Sequence, residues 1–364
     1  MSAESWSGMP WYSFKEISAR FDDVVLINTP AMDKVVERLA ALQRYGFSVR
    51  QRRLLSAIYG RIINRRLAEI KPDIVLSIGA SHKLIRIDPK WRLLHVSDGL
   101  FMTMVNYYEK FGRFRQAVLR TGHNDLQQFM CKVDLTLFAS QWAHDSALTH
   151  YDLDPARARV DLFGANLDVD PGFRERQLDG PLTILFVGYD WERKGGDLVL
   201  ATWRLLREAT GDAELHIVGC KPAVAANIDG VTVHGRLRKS DPRDYAKLTH
   251  LYDRASMFFM PSRAEAFGMV FCEAAAYGIP SVAAITGGVP SVVIDNETGL
   301  LLDLGADARA YADRILDLWS DKVRFRAMSL AARRRFETHL NWNAWGEGVE
   351  RGINDILSGV ISPR

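Results

Sequence analysis

The chain has 364 residues, of which 48% are hydrophobic and 25% charged, with 47 Lys and Arg against 44 Asp and Glu for a net charge of +3. That length exceeds one ordinary core and suits two domains, and the composition is that of a soluble globular enzyme. Three scattered cysteines, Cys131, Cys220 and Cys272, exclude a disulfide framework or a Cys-based zinc site, and no apolar run approaches the roughly 18 to 20 residues that span a bilayer.

The opening "SWSGMPW", which contains Gly8, reads as a turn. A doubly wound domain normally begins with a hydrophobic strand leading into such a turn, and none precedes it. The first strand is therefore expected to be lost, or to lie upstream of Met1. No secretory signal opens the chain, so a cytoplasmic location is expected, with peripheral attachment at the inner face of a membrane as the alternative. Next come an apolar run, Val24–Asn28, and the basic stretch "RYGFSVRQRRLLSAIYGRIINRRLAEIK". In it Arg44, Arg50, Arg52, Arg53, Arg61, Arg65 and Arg66 alternate with Leu54, Leu55, Ile58, Ile62 and Ile63. Residues 1–165 carry 23 Lys/Arg against 17 Asp/Glu, and the remainder 24 against 27. Residues 44–66 fit a basic amphipathic face for anionic lipid, or equally a solvated helix whose apolar stripe is in the core. Nucleic-acid binding has little support, because the imbalance is modest and no stacking-aromatic motif accompanies it.

Further β-branched runs follow at Ile74–Ile78, Leu93–Val96 and Leu135–Ala139. The segment "ANLDVDPGFRERQLDGPL" has no periodicity and carries Pro171, Gly180 and Pro181, which marks a linker at 167–181. Beyond it the runs are Leu182–Gly188, Glu214–Gly219, Val231–Gly235, Met257–Met260, Pro280–Ile285 and Gly299–Leu302. Continuous rather than alternating hydrophobicity means strands covered on both faces. Strands alternating with amphipathic stretches, twice over, predict an α/β chain of two Rossmann-like doubly wound domains. The expected domains are 1–166, 182–338 and a C-terminal helical segment at 339–364 that turns back toward the first.

Ligands of open parallel sheets bind at the carboxyl ends of strands, and four elements of the second half stand at such ends. In "ILFVGYDWERKGGDLVL" a strand runs through Gly188 into a turn with Arg193 and Lys194, and Gly195-Gly196 open a helix whose amides favour an anion. In "VTVHGRLRKSD" the backbone at Gly235 and Leu237 could meet a planar base, or form an ordinary loop. In "PSRAEAFGMVFCEAAAYGIP" Ala264–Gly268 read as a loop and Met269–Tyr277 as a helix ended by Gly278 and Pro280. Glu265 and Glu273 there are costly so near buried strands unless paired. If helical throughout, their separation is about 12 Å at about 1.5 Å per residue. This would let Glu273 meet ribose hydroxyls and Glu265 a sugar, with the amides of Phe267, Gly268, Met269 and Val270 toward hydroxyls or phosphate. The fourth element is "ITGGVPSVVIDNETGLL", with a Gly-Gly turn after a strand.

In combination these elements resemble the retaining glycosyltransferases of family 4, which have the GT-B architecture. The family's Glu, seven residues, Glu motif is matched by Glu265 and Glu273, and its strand–Gly–turn–Lys-Gly by Gly188 and Lys194-Gly195. "SWSGMPW" is similar to the glycine loop of a bacterial branch, and "HVSDGLF", "LFASQWAHDSALTHYDLDPARARVDLFGANLD" and "LNWNAWGEGVE" fit the same branch. One departure is Tyr189, where the family usually has Arg; Arg193 is a candidate to supply that charge.

The resemblance implies two domains facing across a cleft and transfer of a hexose from a nucleoside diphosphate sugar to a saccharide or glycolipid acceptor. Configuration would be retained at the anomeric carbon. The catalytic set would be Glu265, Lys194 and Asp98, with His95 a core residue within its strand. The donor would meet Gly8, Gly188, Arg193, Gly235, Leu237, Phe267, Gly268, Met269, Val270 and Glu273. No metal or other cofactor is expected, since the D-x-D patterns Asp152–Asp154 and Asp168–Asp170 are poorly placed for a diphosphate. The alternatives are a degenerate nucleotide-sugar-binding protein, or a glycoside phosphorylase or sugar-phosphate synthase of the same architecture.

Overall fold

The computed structural model describes residues 8–39, 53–105, 107–176 and 178–361. The chain forms two compact units, each assembled from two stretches. One comprises residues up to Glu16 with Leu162–Trp345; the other comprises Ile17–Asp161 with Gly346–Arg364. Helix α1 (Met9–Arg20) spans the first change of unit.

The unit built on Ile17–Asp161 contains α2 (Pro30–Leu39), α3 (Arg53–Ile70), β1 (Val75–Ile78), α4 (Ser81–Leu84), β2 (Leu93–Ser97) and α5 (Phe101–Met104). After these come α6 (Glu109–Gly112), α7 (Gln116–Met130), β3 (Leu135–Phe138), α8 (Gln141–His150) and β4 (Ala158–Val160). The sheet is parallel in the order β1-β2-β3-β4, with Leu94 opposite Leu135. Strands β2 and β3 are buried along their whole length, with His95, Ser97 and Thr136 buried among the apolar residues.

Two readings of this unit are corrected. Val24–Asn28 is not a strand: no ladder forms there, and Val25 and Leu26 are 55% and 40% exposed. β-branched propensity yields a strand only where a neighbour can pair and a layer can cover it. Conversely, β4 escaped notice because it is a short edge strand with a charged middle, Arg159, whose guanidinium meets Asp355 Oδ2 at 2.5 Å. On α3 the apolar stripe Leu55, Tyr59, Ile63 and Leu67 is buried in the core. Arg61, Arg65 and Arg66 lie exposed with Leu54, and Glu69 pairs with Arg65 and Arg66 at 3.2 and 2.6 Å. Arg44, Arg50 and Arg52 lie outside the described residues.

The second unit holds β5 (Thr183–Val187), α9 (Gly196–Thr210), β6 (Glu214–Val218), β7 (Val231–Gly235), α10 (Pro242–Arg254) and β8 (Met257–Met260). It continues through α11 (Met269–Ala276), β9 (Ser281–Ala284), α12 (Val289–Val292), β10 (Gly299–Leu302), α13 (Ala308–Ser320) and α14 (Lys322–Thr338). Helix α15 (Trp342–Leu357) spans the second change of unit. Residues 167–181 contain no helix or strand among those described. The six strands are all parallel in the order β10-β9-β8-β5-β6-β7. The first strand of the sheet therefore lies beside the fourth, and connections leave in opposite directions from that pair. This is a topological switch point, where an open α/β sheet leaves a crevice at its carboxyl edge. The loops after β5 and β8 flank it. Among the described residues no helix is long and apolar enough to cross a membrane.

Candidate functional site

The turn after β5 is wound by its own backbone. Lys194 N donates to Asp190 O at 2.9 Å, and Gly195 and Gly196 N donate to the carbonyls of Glu192 and Trp191 at 3.1 and 2.8 Å. Gly195 has φ +73°, and a Cβ there would stand 2.2 Å from the Pro261 carbonyl oxygen, so only glycine lets this turn lie against the end of β8. The contact brings two sequence-distant loops into register. Arg263 N donates to Arg193 O at 2.8 Å, and the Arg193 guanidinium donates to Ala264 O, also at 2.8 Å.

Lys194 and Glu265 meet across this junction, the ammonium donating to Glu265 Oε2. Both side chains are only 12% exposed, and Arg193 Nη1 stands 3.9 Å from the same oxygen. Arg193 is also braced by Asp190, whose two carboxylate oxygens receive its backbone N–H and its Nε at 3.1 and 3.2 Å. The Glu265 carbonyl accepts from Gly288 N at 3.1 Å, which ties in the Gly-Gly turn after β9. The result is a carboxylate between two cations, close to the start of α11, whose first amides have no acceptor within the helix.

Glu265 lies in a loop, and α11 begins only at Met269. The expectation of one helix carrying both carboxylates is thereby corrected: Gly268, at φ +94°, separates them. Glu273 sits inside α11 and is 4% exposed. Its oxygens accept from Lys239 Nζ at 2.5 Å and Tyr252 Oη at 3.1 Å. Burial, and then the neighbouring Glu273, push the Tyr252 hydroxyl well above its ordinary value, so it remains a donor. Both carboxylates thus have protein partners, whereas sequence reasoning had sought only ligand hydroxyls. Lys239 stands in the stretch "VTVHGRLRKSD" and Tyr252 in α10, and nothing local to either points to a carboxylate 34 and 21 positions away.

Lys239 also donates to Asn166 O at 2.8 Å. The Asn166 side chain accepts from Trp342 Nε1 at 3.1 Å, and Trp342 stacks with Tyr12 at 6.4 Å between centroids. Tyr12 in turn donates to Asp168 Oδ1 at 3.2 Å. A polar and aromatic chain therefore links Glu273 to α1, which follows Gly8 at φ +85°.

The remaining expected donor contacts fall around these loops. Gly188 N continues the ladder to Val218 O at 2.9 Å, and Gly235 O accepts from Gly219 N at 2.8 Å. A Cβ on Gly219 would stand 2.5 Å from Gly188 O, so the ends of β5, β6 and β7 form one closely layered edge. Leu237 is buried, and Met269 and Val270 are half-buried. Phe267 is buried edge-on to Phe163 at 5.3 Å, so its side chain is a packing group and only its backbone remains for a ligand. Tyr189 is 68% exposed, with the Arg236 guanidinium 5.5 Å from its ring centroid.

Asp98 belongs to the other unit, half-buried just beyond β2. Ser97 Oγ holds the turn beneath it, donating to Gly99 O at 3.0 Å and accepting from Gly99 N at 3.2 Å. His95 is fully buried with Nδ1 3.1 Å from Ser77 Oγ and its ring edge-on to Phe129. Burial pushes its imidazole down to about 4. The D-x-D carboxylates have local roles. Asp154 accepts from Ala156 N at 2.9 Å, and Asp170 receives both Arg333 terminal nitrogens at 2.6 and 2.7 Å. No cluster of three or more potential metal ligands occurs among the described residues.

Residues 181–321 match the family described as "Glycosyl transferases group 1". The chain is 30% identical over 248 residues to a D-inositol 3-phosphate glycosyltransferase of Corynebacterium diphtheriae, covering 63% of this chain and 58% of that protein. It is also 30% identical over 259 residues to a GDP-mannose-dependent alpha-(1-6)-phosphatidylinositol monomannoside mannosyltransferase of Mycolicibacterium smegmatis, covering 67% and 65%. The chain thus matches less than two thirds of the length of either relative. Among solved structures, Anabaena Alr3699/HepE in complex with UDP superposes with a TM-score of 0.63 at 15% identity, covering 83% of this chain and 82% of that one. This likeness is one of fold, the GT-B class of paired Rossmann-like domains.

Proposed function

We propose that the protein is a retaining glycosyltransferase that moves a sugar from a nucleoside diphosphate donor to a saccharide or glycolipid acceptor without a metal. The observation that carries the reading is the Lys194–Glu265 pair, with Arg193 beside it, at the switch point of a doubly wound sheet. Relatives named for GDP-mannose and for inositol 3-phosphate support a nucleotide-sugar donor and a hydroxylated acceptor.

Cleaving the donor's anomeric bond develops oxocarbenium character on the sugar and negative charge on the departing diphosphate. Lys194 and Arg193 meet that charge, aided by the amides opening α9. A fixed ammonium and guanidinium stabilise a developing anion more than a solvated ground state, because they need not reorganise. Glu265 serves two purposes in this scheme. Its carboxylate pairs with the Lys194 ammonium, and it accepts hydroxyls of the transferred sugar. Glu273, carrying Lys239 and Tyr252, offers its oxygens to the ribose. Asp98, half-buried just beyond β2, completes the proposed catalytic set as the side chain assigned to the donor sugar. Arg61, Arg65, Arg66 and exposed Leu54 on α3 support peripheral contact with an anionic membrane.

The test pairs calorimetry with turnover. The purified chain, in EDTA, is titrated with UDP, GDP, ADP and their sugar conjugates. One nucleotide should bind at micromolar Kd, and its sugar conjugate should be consumed with the product's anomeric configuration retained by NMR. Glu265→Ala should lower turnover about a hundredfold or more while leaving nucleoside diphosphate binding within about threefold. Parallel loss of binding and turnover would remove Glu265 from the sugar-orienting role, and an absolute metal requirement would overturn the charge assignment.

A further inference from the structure

The unit built on Ile17–Asp161 contains a pocket of about 510 Å³ that none of the catalytic or donor-binding assignments uses. It lies between α3, α7 and the loop following α4. We propose that it binds a small phosphorylated polyol, of the hexose phosphate class, at a site distinct from Asp98.

The argument begins with a glycine that helix propensity disfavours. Gly60 lies in the middle of α3, where glycine costs about 1 kcal/mol relative to alanine. A Cβ there would stand 2.7 Å from Arg86 Cβ, so the glycine lets the 85–88 loop lie directly on α3. Two further devices clamp this loop. Asn64 donates to Arg86 O and accepts from Asp88 N, both at 2.9 Å. Lys132 donates to the carbonyls of Ile85 and Ile87 at 2.8 and 3.1 Å. The backbone carrying Arg86 is therefore held from both sides, and Arg86 Nε is steered by Ser56 Oγ at 3.2 Å.

Across the pocket, α7 presents Asn124, Asp125 and Gln128, at the i, i+1 and i+4 positions of one face. The wall is then two cations on one side and amides with a carboxylate on the other, with Ile85 the single aliphatic group. An aromatic or lipid ligand would find little apolar surface to cover beyond Ile85. A long polyanion would meet Asp125 and only two cations. A phosphate against Arg86 and Lys132, with hydroxyls against Asn124, Asp125 and Gln128, suits this wall, since cations favour phosphate while amides and a carboxylate favour hydroxyls.

Within this unit the pocket is separate from Asp98. Lys132 precedes β3, and Asp134 N bonds to Leu93 O at the start of β2, whereas Asp98 follows the other end of β2. Strand β2 alone places roughly 15 Å between those ends.

The experiment is calorimetry on the full chain with glucose 6-phosphate, mannose 1-phosphate and myo-inositol 1-phosphate. Inorganic phosphate and glucose serve as the two halves of the ligand. At least one phosphorylated polyol should bind at about millimolar Kd or tighter, and more tightly than phosphate or glucose alone. Arg86→Gln and, separately, Gln128→Leu should weaken it about tenfold or more, while Asp98→Asn and Glu273→Gln leave it unchanged. Gln128 is exposed, so its variant keeps the test open if Arg86→Gln disturbs the loop. No binding by any of the three polyol phosphates, equal binding of phosphate alone, or loss only in the Asp98 and Glu273 variants would each overturn the assignment. The nucleotide titrations are independent, so this site can fail while the glycosyltransferase reading stands.

Discussion

Lys239→Met isolates what holds the buried carboxylate of α11. Methionine retains much of the stem but removes the ammonium lying 2.5 Å from Glu273 Oε1 and 2.8 Å from Asn166 O. Removing one partner of a buried ion pair typically costs about 3–5 kcal/mol, because the remaining charge is left without compensation. Here the Lys239 side chain is 25% exposed, and Tyr252 still donates to Oε2, so the cost should fall to about 2–3 kcal/mol. In a unit of this size that lowers Tm by about 4–12 °C. The pair Lys239→Met with Glu273→Gln should recover much of the loss, since no buried charge then remains. Thermal unfolding of the wild type, both single variants and the double variant closes the cycle. A Lys239→Met variant within about 0.5 kcal/mol of wild type, or a double variant no better than the single, would refute the claim that the lysine compensates Glu273.

Gly195→Ala should destabilise by about 2 kcal/mol or more, because its Cβ would meet the Pro261 carbonyl in a left-handed backbone. Nucleoside diphosphate binding should weaken with it as Lys194 is displaced, and wild-type affinity by calorimetry would contradict this. Burial pushes the Asp161 carboxyl up to about 7 against the pull of Arg351, while an unfolded Asp titrates near about 4. Between those values the unfolded chain has released the proton and the folded chain keeps it. Stability therefore falls as pH rises through that window, and Asp161→Asn should flatten the fall. Denaturation midpoints that decline in parallel for both proteins between about pH 4 and 7 would count against it. His95 has the opposite sign. With its folded value near 4, stability is lost as pH falls below about 6.5, and an imidazole midpoint near 6.5 by NMR would contradict its burial.

Much of the donor-side unit was legible in the residues. Val231–Gly235, Met257–Met260 and Gly299–Leu302 are strands at the expected bounds; the buried pair, β8 and β10, left apolar runs, and the edge strand β7 was marked by β-branched residues ending at a glycine. The turn carrying Lys194 and Gly195 was legible as well, since a glycine pair between an apolar run and an amphipathic stretch marks where a strand passes into a helix. Val24–Asn28 misled because propensity is local and strand pairing is not. Lys239 and Tyr252 were invisible because their partner, Glu273, is 34 and 21 positions away.

The sequence by itself determined the parallel α/β class, the strand positions of the second unit, and the need for both Glu265 and Glu273 to find compensation. These follow from composition, period and the cost of burying charge, all of which act over a few residues. Only the tertiary structure decided which groups provide that compensation. The order β10-β9-β8-β5-β6-β7 sets β5 beside β8, and this adjacency brings Lys194 to Glu265 across 71 positions of chain. Sheet order depends on which buried faces and loop closures combine most favourably over the whole unit, a sum that no local window contains.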